Sequence, residues 1–366
     1  MRCDVVSNIM EKKNIDCLVV TTEENIAYLT GYRGPGALIV PKNDRPLLLV
    51  PLLEAYRASD IVKGEIEIIA YTEYSFPPST YGTIRKGRFR EVLTSLINEF
   101  NMKKVGVDLK SAKHDLVNYI REHINASIID ISTEIESARM IKSVEEIEFI
   151  RNAVRIAEKG LKKCVESLRE GMSEIDLVRI AEYGMREAGA EGYAFPTIVA
   201  SGPNAAYPHA TPTRRRIKRN EPIIVDLGAL FKNYCSDLTR TLFVGNIPND
   251  IKKVLEAVIE AQEEAIDCIE PGIRACDVDE KARKILTKYG LDKHYIHSTG
   301  HGIGIEVHES PTLNVSDTTI LKEGMVITVE PGVYIWRRYG IRIEDDVLVT
   351  KSGREVLSSF AKVIEV

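Results

Sequence analysis

Two segments of this chain share one uncommon form: an apolar strand that ends in a lone carboxylate, a turn, and a return strand carrying a second carboxylate. In the first, Pro222-Ile223-Ile224-Val225-Asp226-Leu227-Gly228 precedes Tyr234-Cys235-Ser236-Asp237-Leu238-Thr239-Arg240-Thr241-Leu242-Phe243-Val244. In the second, Val326-Ile327-Thr328-Val329-Glu330 precedes Gly340-Ile341-Arg342-Ile343-Glu344-Asp345-Asp346-Val347. Short apolar runs bounded by turn residues read as buried strands. A turn centred between Phe231 and Lys232 sets Asp226 opposite Asp237, and one centred on Arg337 sets Glu330 opposite Glu344. Opposed Cβ atoms lie about 4.5–5.5 Å apart, where two like charges repel unless a cation joins them. Either hairpin alone reads as ordinary strand-end acids. Both together, with the histidines described next, point to a cation site.

Three of the chain's seven histidines, His297, His301 and His308, fall in the run His297-Ser298-Thr299-Gly300-His301-Gly302-Ile303-Gly304-Ile305-Glu306-Val307-His308-Glu309. Glycines around His301 let the backbone approach a neighbour closely. The ligand set is therefore Asp226, Asp237, His301, Glu330 and Glu344. Such an oxygen-rich set does not suit a structural zinc, which favours Cys and His. It suits two divalent ions bridged by carboxylates, with Mn, Co, Fe or Zn as the metal. An ion pair of this kind lowers the pKa of a bridging water and steadies a tetrahedral intermediate, so the implied chemistry is hydrolysis of a carbonyl compound.

Length and composition set the frame. A chain of 366 residues reads as roughly two domains. A net charge of -5 argues against general nucleic-acid binding. No apolar run is long enough to span a membrane, and the N-terminus, broken by Asp4, Glu11, Lys12 and Lys13, is no signal peptide. Six scattered cysteines with no CxxC pair read as reduced thiols in a cytoplasmic protein. Cys235, beside the first hairpin, reads as a packed thiol. The single glutamine, Gln262, hints at a warm habitat, while the cysteines point the other way.

Organisation changes near residue 132. Before it, strand-like runs at 16–20, 37–40, 46–50 and 104–108 alternate with helical stretches, as in an α/β domain. The stretch Tyr71 to Gly87, with Phe76-Pro77-Pro78-Ser79, reads as a loop. After it, Ser132 to Leu168 reads as one long helical region with Ile141, Val144, Ile147 and Ile150 as its apolar stripe. Further helices are expected at about 173–188, with Ser173 as cap, at 250–269 and at 277–289. The basic run Arg214-Arg215-Arg216-Ile217-Lys218-Arg219 reads as a solvated turn, alternatively as an edge of the substrate entrance. Trp336-Arg337-Arg338-Tyr339 reads as a surface loop, alternatively as a lid or carboxylate-binding element. His114, His123 and His294 read as surface or structural residues.

The segments Ile224-Val225-Asp226-Leu227-Gly228, Ser236-Asp237-Leu238-Thr239-Arg240-Thr241, Gly300-His301-Gly302-Ile303-Gly304, Val329-Glu330-Pro331-Gly332-Val333-Tyr334 and Ile341-Arg342-Ile343-Glu344-Asp345 together resemble the metallopeptidases of pita-bread fold. Within that family the chain is similar to the Xaa-Pro dipeptidases (prolidases) and Xaa-Pro aminopeptidases. The resemblance covers nearly the whole chain. It implies a creatinase-type α/β N-terminal domain at 1–131 and an α+β pita-bread catalytic domain at 132–366.

By that resemblance, Asp226 is a ligand of one metal, Asp237 and Glu344 bridge both, and His301 and Glu330 hold the other. His209 matches a histidine that contacts substrate and stabilises the intermediate. His297 and His308 match histidines of the proline-side pocket, and His308 is the one expected to reach the reacting amide. Tyr334 and Arg342 match residues that orient the carboxylate network, and Glu330 also matches a general acid/base. The implied reaction is hydrolysis of Xaa-Pro bonds, foremost in dipeptides, by a metal-bridging hydroxide. The cofactors are two divalent ions, Mn or Co ahead of Zn or Fe. The implied partner is a proline-containing peptide, and a homodimer is implied, with neither nucleic acid nor membrane. The rivals are an aminopeptidase acting on longer peptides, a methionine aminopeptidase, a creatinase-like amidinohydrolase and a non-catalytic binding protein on the same fold.

Overall fold

Alternating apolar runs and helices in the first third build a seven-stranded sheet. The computed structural model describes residues 1–75 and 82–366; of the loop expected from Tyr71 to Gly87, residues 76–81 lie outside the described residues, and Ile84–Lys86 is a strand rather than loop. Across this sheet the strands run Ile84–Lys86, Glu67–Thr72, Leu47–Pro51, Ala37–Pro41, Cys17–Val20, Lys104–Val107 and Ser127–Asp130. Ala37–Pro41 is antiparallel to both its neighbours, while Cys17–Val20, Lys104–Val107 and Ser127–Asp130 are mutually parallel. Helices Phe89–Glu99 and His114–His123 bury Leu93, Leu96, Val117 and Ile120 in its core.

The chain divides into two compact units, Met1–Arg139 and Met140–Val366. The expected long helix from Ser132 is in fact two, Ser132–Met140 and Val144–Ser167. Ser143 breaks it: its side chain accepts from the Glu146 N–H while Glu146 caps the Ser143 N–H in return. The shorter helix belongs to the first unit, because Glu134 pairs with Lys12 and Lys13 at 3.2 and 2.9 Å and Arg139 donates to Asn25 at 3.0 Å. The unit boundary therefore falls at the far end of that helix rather than at its start. The expected apolar stripe is also corrected. Ile141 and Val144 are exposed, and Ile150, Ala153, Val154, Ala157, Leu161 and Cys164 form the buried face.

In the second unit, helices Val144–Ser167 and Glu174–Glu187 cover a sheet of strands Ile198–Ser201, Ile223–Leu227, Leu238–Phe243 and Ile364–Glu365. Helices Asn249–Asp267 and Ala275–Lys288 likewise cover a five-stranded sheet whose centre is Gly300–Gly302, Val326–Val329 and Asp345–Thr350.

Strand register decides where the carboxylates fall. In the first hairpin, Lys232 and Asn233 both take positive φ, 50° and 70°, the geometry of a two-residue turn whose twist matches its strands. Phe231 then pairs with Tyr234, and Asp226 lies opposite Thr239 rather than Asp237. The expected turn centre lies one residue too early. In the second hairpin, Arg337 sits at φ 62° at the tip, and the ladders Val326–Val329 with Asp345–Leu348 and Gly332–Ile335 with Tyr339–Arg342 share one register. Glu330 and Glu344 lie in the gap between those ladders, at positions symmetric about Arg337. Gly300 must be glycine, because a Cβ there would collide with the Thr328 carbonyl oxygen.

Candidate active site

His301 occupies the middle of the Gly300–Gly302 strand, where its N–H donates to Thr328 Oγ1 at 3.1 Å. Its Nδ1 meets the Gly302 carbonyl at 3.0 Å; a carbonyl only accepts, so Nδ1 carries the proton and Nε2 is a bare lone pair. That lone pair lies 3.4 Å from Glu330 Oε1 and 3.7 Å from Asp237 Oδ2. Burial, then the neighbouring His308, pushes the ring down to about 4, so it is neutral near pH 7.

The ligand atoms of Asp237, His301 and Glu344 lie within 4.8 Å of one another. Among the described residues, Asp226 Oδ1, Asp237 Oδ1 and Glu344 Oε1 are buried without a hydrogen-bond partner. A buried acceptor without a donor costs about 1–3 kcal/mol, more when charged. Burial and then the mutual repulsion of the acids hold Asp237 and Glu344 well above the ordinary carboxylate range. Burial pushes Glu330 up to about 8. Acceptor oxygens with nothing to accept, in a group of acids gathered with a bare imidazole nitrogen, fit divalent cations in both donor type and charge.

The second oxygens of Asp226 and Glu344 are held by the protein. Asp226 Oδ2 accepts from Arg342 Nη2 at 2.5 Å. The same guanidinium donates through Nη1 to the Tyr334 oxygen at 2.8 Å and the Pro208 carbonyl at 3.1 Å, and through Nε to Thr239 Oγ1 at 3.3 Å. The Thr239 hydroxyl donates to Glu344 Oε2 at 2.6 Å. The Asp237 N–H donates to Asp346 Oδ2 at 3.0 Å, and the Glu330 N–H to the Thr299 carbonyl at 2.7 Å.

The other expected histidines gather here as well. His308 is exposed, with its ring edge-on to that of His301 at a centroid distance of 4.3 Å. His297 spends both nitrogens on the protein: Nδ1 donates to the Ser298 carbonyl at 2.7 Å and Nε2 accepts from the Tyr334 hydroxyl at 3.1 Å. Burial, then Arg342, pushes His297 down to about 4. His209 stands exposed next to Pro208, whose carbonyl accepts from Arg342. Trp336 is an exposed surface residue with the Arg337 guanidinium 4.3 Å over its ring.

Several supporting residues escaped the sequence reading. Arg240 is fully buried and uses every N–H: Nε to the Ala361 carbonyl, Nη1 to the Thr239 and Glu344 carbonyls, Nη2 to the Phe360 carbonyl and to Asp345 Oδ1 at 2.6 Å. Gln262 donates to Asp345 Oδ2 at 2.8 Å. Asp279 accepts from the Thr299 hydroxyl at 2.7 Å and from Arg283 Nε at 2.6 Å. Lys142 and Glu309 form a buried pair at 3.0 Å beside His308. Arg215 is no merely solvated residue, since it grips Glu221 at 2.5 and 2.6 Å. Arg240 stood inside a quoted motif and Asp345 beside Glu344, so adjacency was a usable signal; Gln262 and Asp279 carried none.

A carboxylate–histidine cluster between two antiparallel hairpins, each half backed by a helix pair, defines a metal-dependent hydrolase of pita-bread fold. Residues 148–351 match the metallopeptidase family M24, and residues 2–141 match the creatinase/prolidase N-terminal domain. An Xaa-Pro dipeptidase of Pyrococcus furiosus is 35% identical over 360 residues, 98% of this chain and 97% of that protein. The structure of an Xaa-Pro dipeptidase from Bacillus anthracis matches with a TM-score of 0.90 at 30% identity, covering 100% of this chain and 99% of that one. An X-Pro aminopeptidase from Thermotoga maritima matches at 0.86 and 31% identity, covering 98% and 100%. This chain belongs to metallopeptidase family M24.

Proposed function

We propose that the enzyme cleaves Xaa-Pro bonds, foremost in dipeptides, with two divalent ions held by Asp226, Asp237, His301, Glu330 and Glu344. One observation carries the reading: Asp237, Glu344 and the bare imidazole nitrogen of His301 converge within 4.8 Å, and Asp226, Asp237 and Glu344 each keep a buried oxygen without a hydrogen-bond partner. Asp226 would hold one ion, Asp237 and Glu344 would be shared, and His301 and Glu330 would hold the other. Bound there, the ions supply Lewis acidity and a nucleophilic oxygen at neutral pH. The N and O donors suit Mn or Co, with Zn or Fe as alternatives.

The residues match a proline substrate. An Xaa-Pro bond has no amide N–H to recognise, and His297, with both nitrogens engaged, offers a ring face rather than a donor. His209 and His308 keep exposed imidazoles for the substrate carbonyl and the leaving ring nitrogen. Glu330 has the most exposed side chain of the four acids, 17%, and serves as the proton carrier. Among the described residues no helix is long and apolar enough to cross a membrane. The six cysteines, none of them in a disulfide, support a reducing, cytoplasmic setting. We also propose a homodimer.

The Pyrococcus and Bacillus relatives favour the dipeptidase reading, and the Thermotoga structure supports the aminopeptidase one. Metal-stripped protein, reloaded with Mn or Co, should be assayed on an Xaa-Pro dipeptide and an Xaa-Pro tripeptide. Metal-dependent cleavage of the dipeptide is expected. Cleavage of the tripeptide alone selects the aminopeptidase, and cleavage of neither rejects the proposal.

A further inference from the structure

A carboxylate outside the metal cluster holds the loop that carries His209. Glu174 opens the Glu174–Glu187 helix and is fully buried. Its Oε1 accepts from the Ser201 N–H and hydroxyl, both at 2.8 Å. Its Oε2 accepts from Asn204 Nδ2 at 2.9 Å, the Thr213 N–H at 2.8 Å and the Thr213 hydroxyl at 2.7 Å. Ser201 and Thr213 are the two ends of the segment that contains His209, so a single side chain ties that segment shut at its base. Arg342 supplies a second tether beside His209 through the Pro208 carbonyl.

The donors around Glu174 cannot reverse. Ser201 Oγ already accepts from Arg215 Nη1 at 2.7 Å, and Thr213 Oγ1 already accepts from the Arg215 N–H at 3.1 Å, so both hydroxyl protons are committed to the carboxylate. Glutamine has the same shape but turns one acceptor oxygen into an NH₂ donor, which must face a backbone N–H whichever way the amide lies. Such a change breaks the tie without emptying the site.

We propose that Glu174 is a positioning residue for the reaction: by closing the 201–213 segment it places His209 against the substrate. This rests on the proposed role of His209. None of the metal ligands touches Glu174, so metal content is expected to stay at the wild-type level while turnover falls.

The test compares Glu174→Gln and Thr213→Val in two backgrounds, wild type and His209→Ala, on an Xaa-Pro dipeptide with Mn-loaded enzyme. Thr213→Val removes one hydroxyl donor, keeps the backbone donor and the side-chain shape, and carries the test by itself should Glu174→Gln not fold. Expected are a fall in kcat of at least about tenfold for Glu174→Gln and about threefold for Thr213→Val, with KM little changed. In the His209→Ala background the further loss should shrink to less than about twofold, because residues acting through one another are not additive. Independently of activity, hydrogen exchange of the metal-free protein should quicken in 201–213 for Glu174→Gln and stay unchanged for His209→Ala. An equal loss in both backgrounds, or no loss in folded Glu174→Gln, overturns the inference alone. Full activity in His209→Ala overturns both it and the role of His209.

Discussion

Arg342 Nη2 donates to Asp226 Oδ2 at 2.5 Å, and both side chains are buried. The bond holds one oxygen of Asp226 and leaves Oδ1 without a partner. Replacing Arg342 with Met strands a buried carboxylate, a change that costs about 3–5 kcal/mol, and frees the ligand to rotate, which lowers metal affinity about 10–100-fold. Thermal denaturation and Mn titration of the metal-stripped variant measure the two effects. Wild-type metal affinity in Arg342→Met contradicts the orienting role.

The metal-free protein should lose stability as the pH rises. Glu330 ionises near 4.5 when unfolded and at about 8 in the fold, because burial disfavours its charged form, and Asp237 and Glu344 are raised likewise. Between those pH values the unfolded chain has released protons that the folded one retains, so stability is full below about 4.5 and is lost as pH climbs through about 8. Bound cations remove the repulsion. Chelation should therefore lower Tm more at pH 8 than at pH 6. An equal drop at both pH values, read by scanning calorimetry, contradicts the assignment.

Asp279 should govern the second half of the cluster. Its Oδ1 takes the Thr299 N–H and hydroxyl, its Oδ2 takes Arg283, and Arg283 Nη2 holds the His297 carbonyl at 2.7 Å. The Thr299 carbonyl in turn receives the Glu330 N–H. One side chain thus fixes the backbone beneath His297, His301 and Glu330. Asp279→Asn is expected to weaken Mn binding about tenfold, checked by titration against Arg283→Met, which should weaken it less.

The sequence carried much of this site because strand-end acids, glycines and histidines are rare enough at those places to stand out. Glu330 and Glu344 are symmetric about Arg337, and the two ladders on either side of them keep that register. Asp226 and Asp237 were mispaired because the turn depends on Lys232 and Asn233 adopting positive φ, and a lysine gives no sign of that. Helix lengths were legible; the break at Ser143 was hidden by apolar residues on both sides that turned out exposed. Glu174 and Asp279 read as ordinary helical acids, since their partners lie far along the chain and only folding brings them close.

Metal content tests the central claim most directly. Mass-spectrometric metal analysis of Mn-reloaded protein, with Xaa-Pro dipeptide hydrolysis followed in the same samples, should find about two ions per chain and activity that vanishes on chelation. Asp237→Ala should retain at most one ion and lose at least about a thousandfold in kcat. Hydrolysis that survives both chelation and Asp237→Ala contradicts the account.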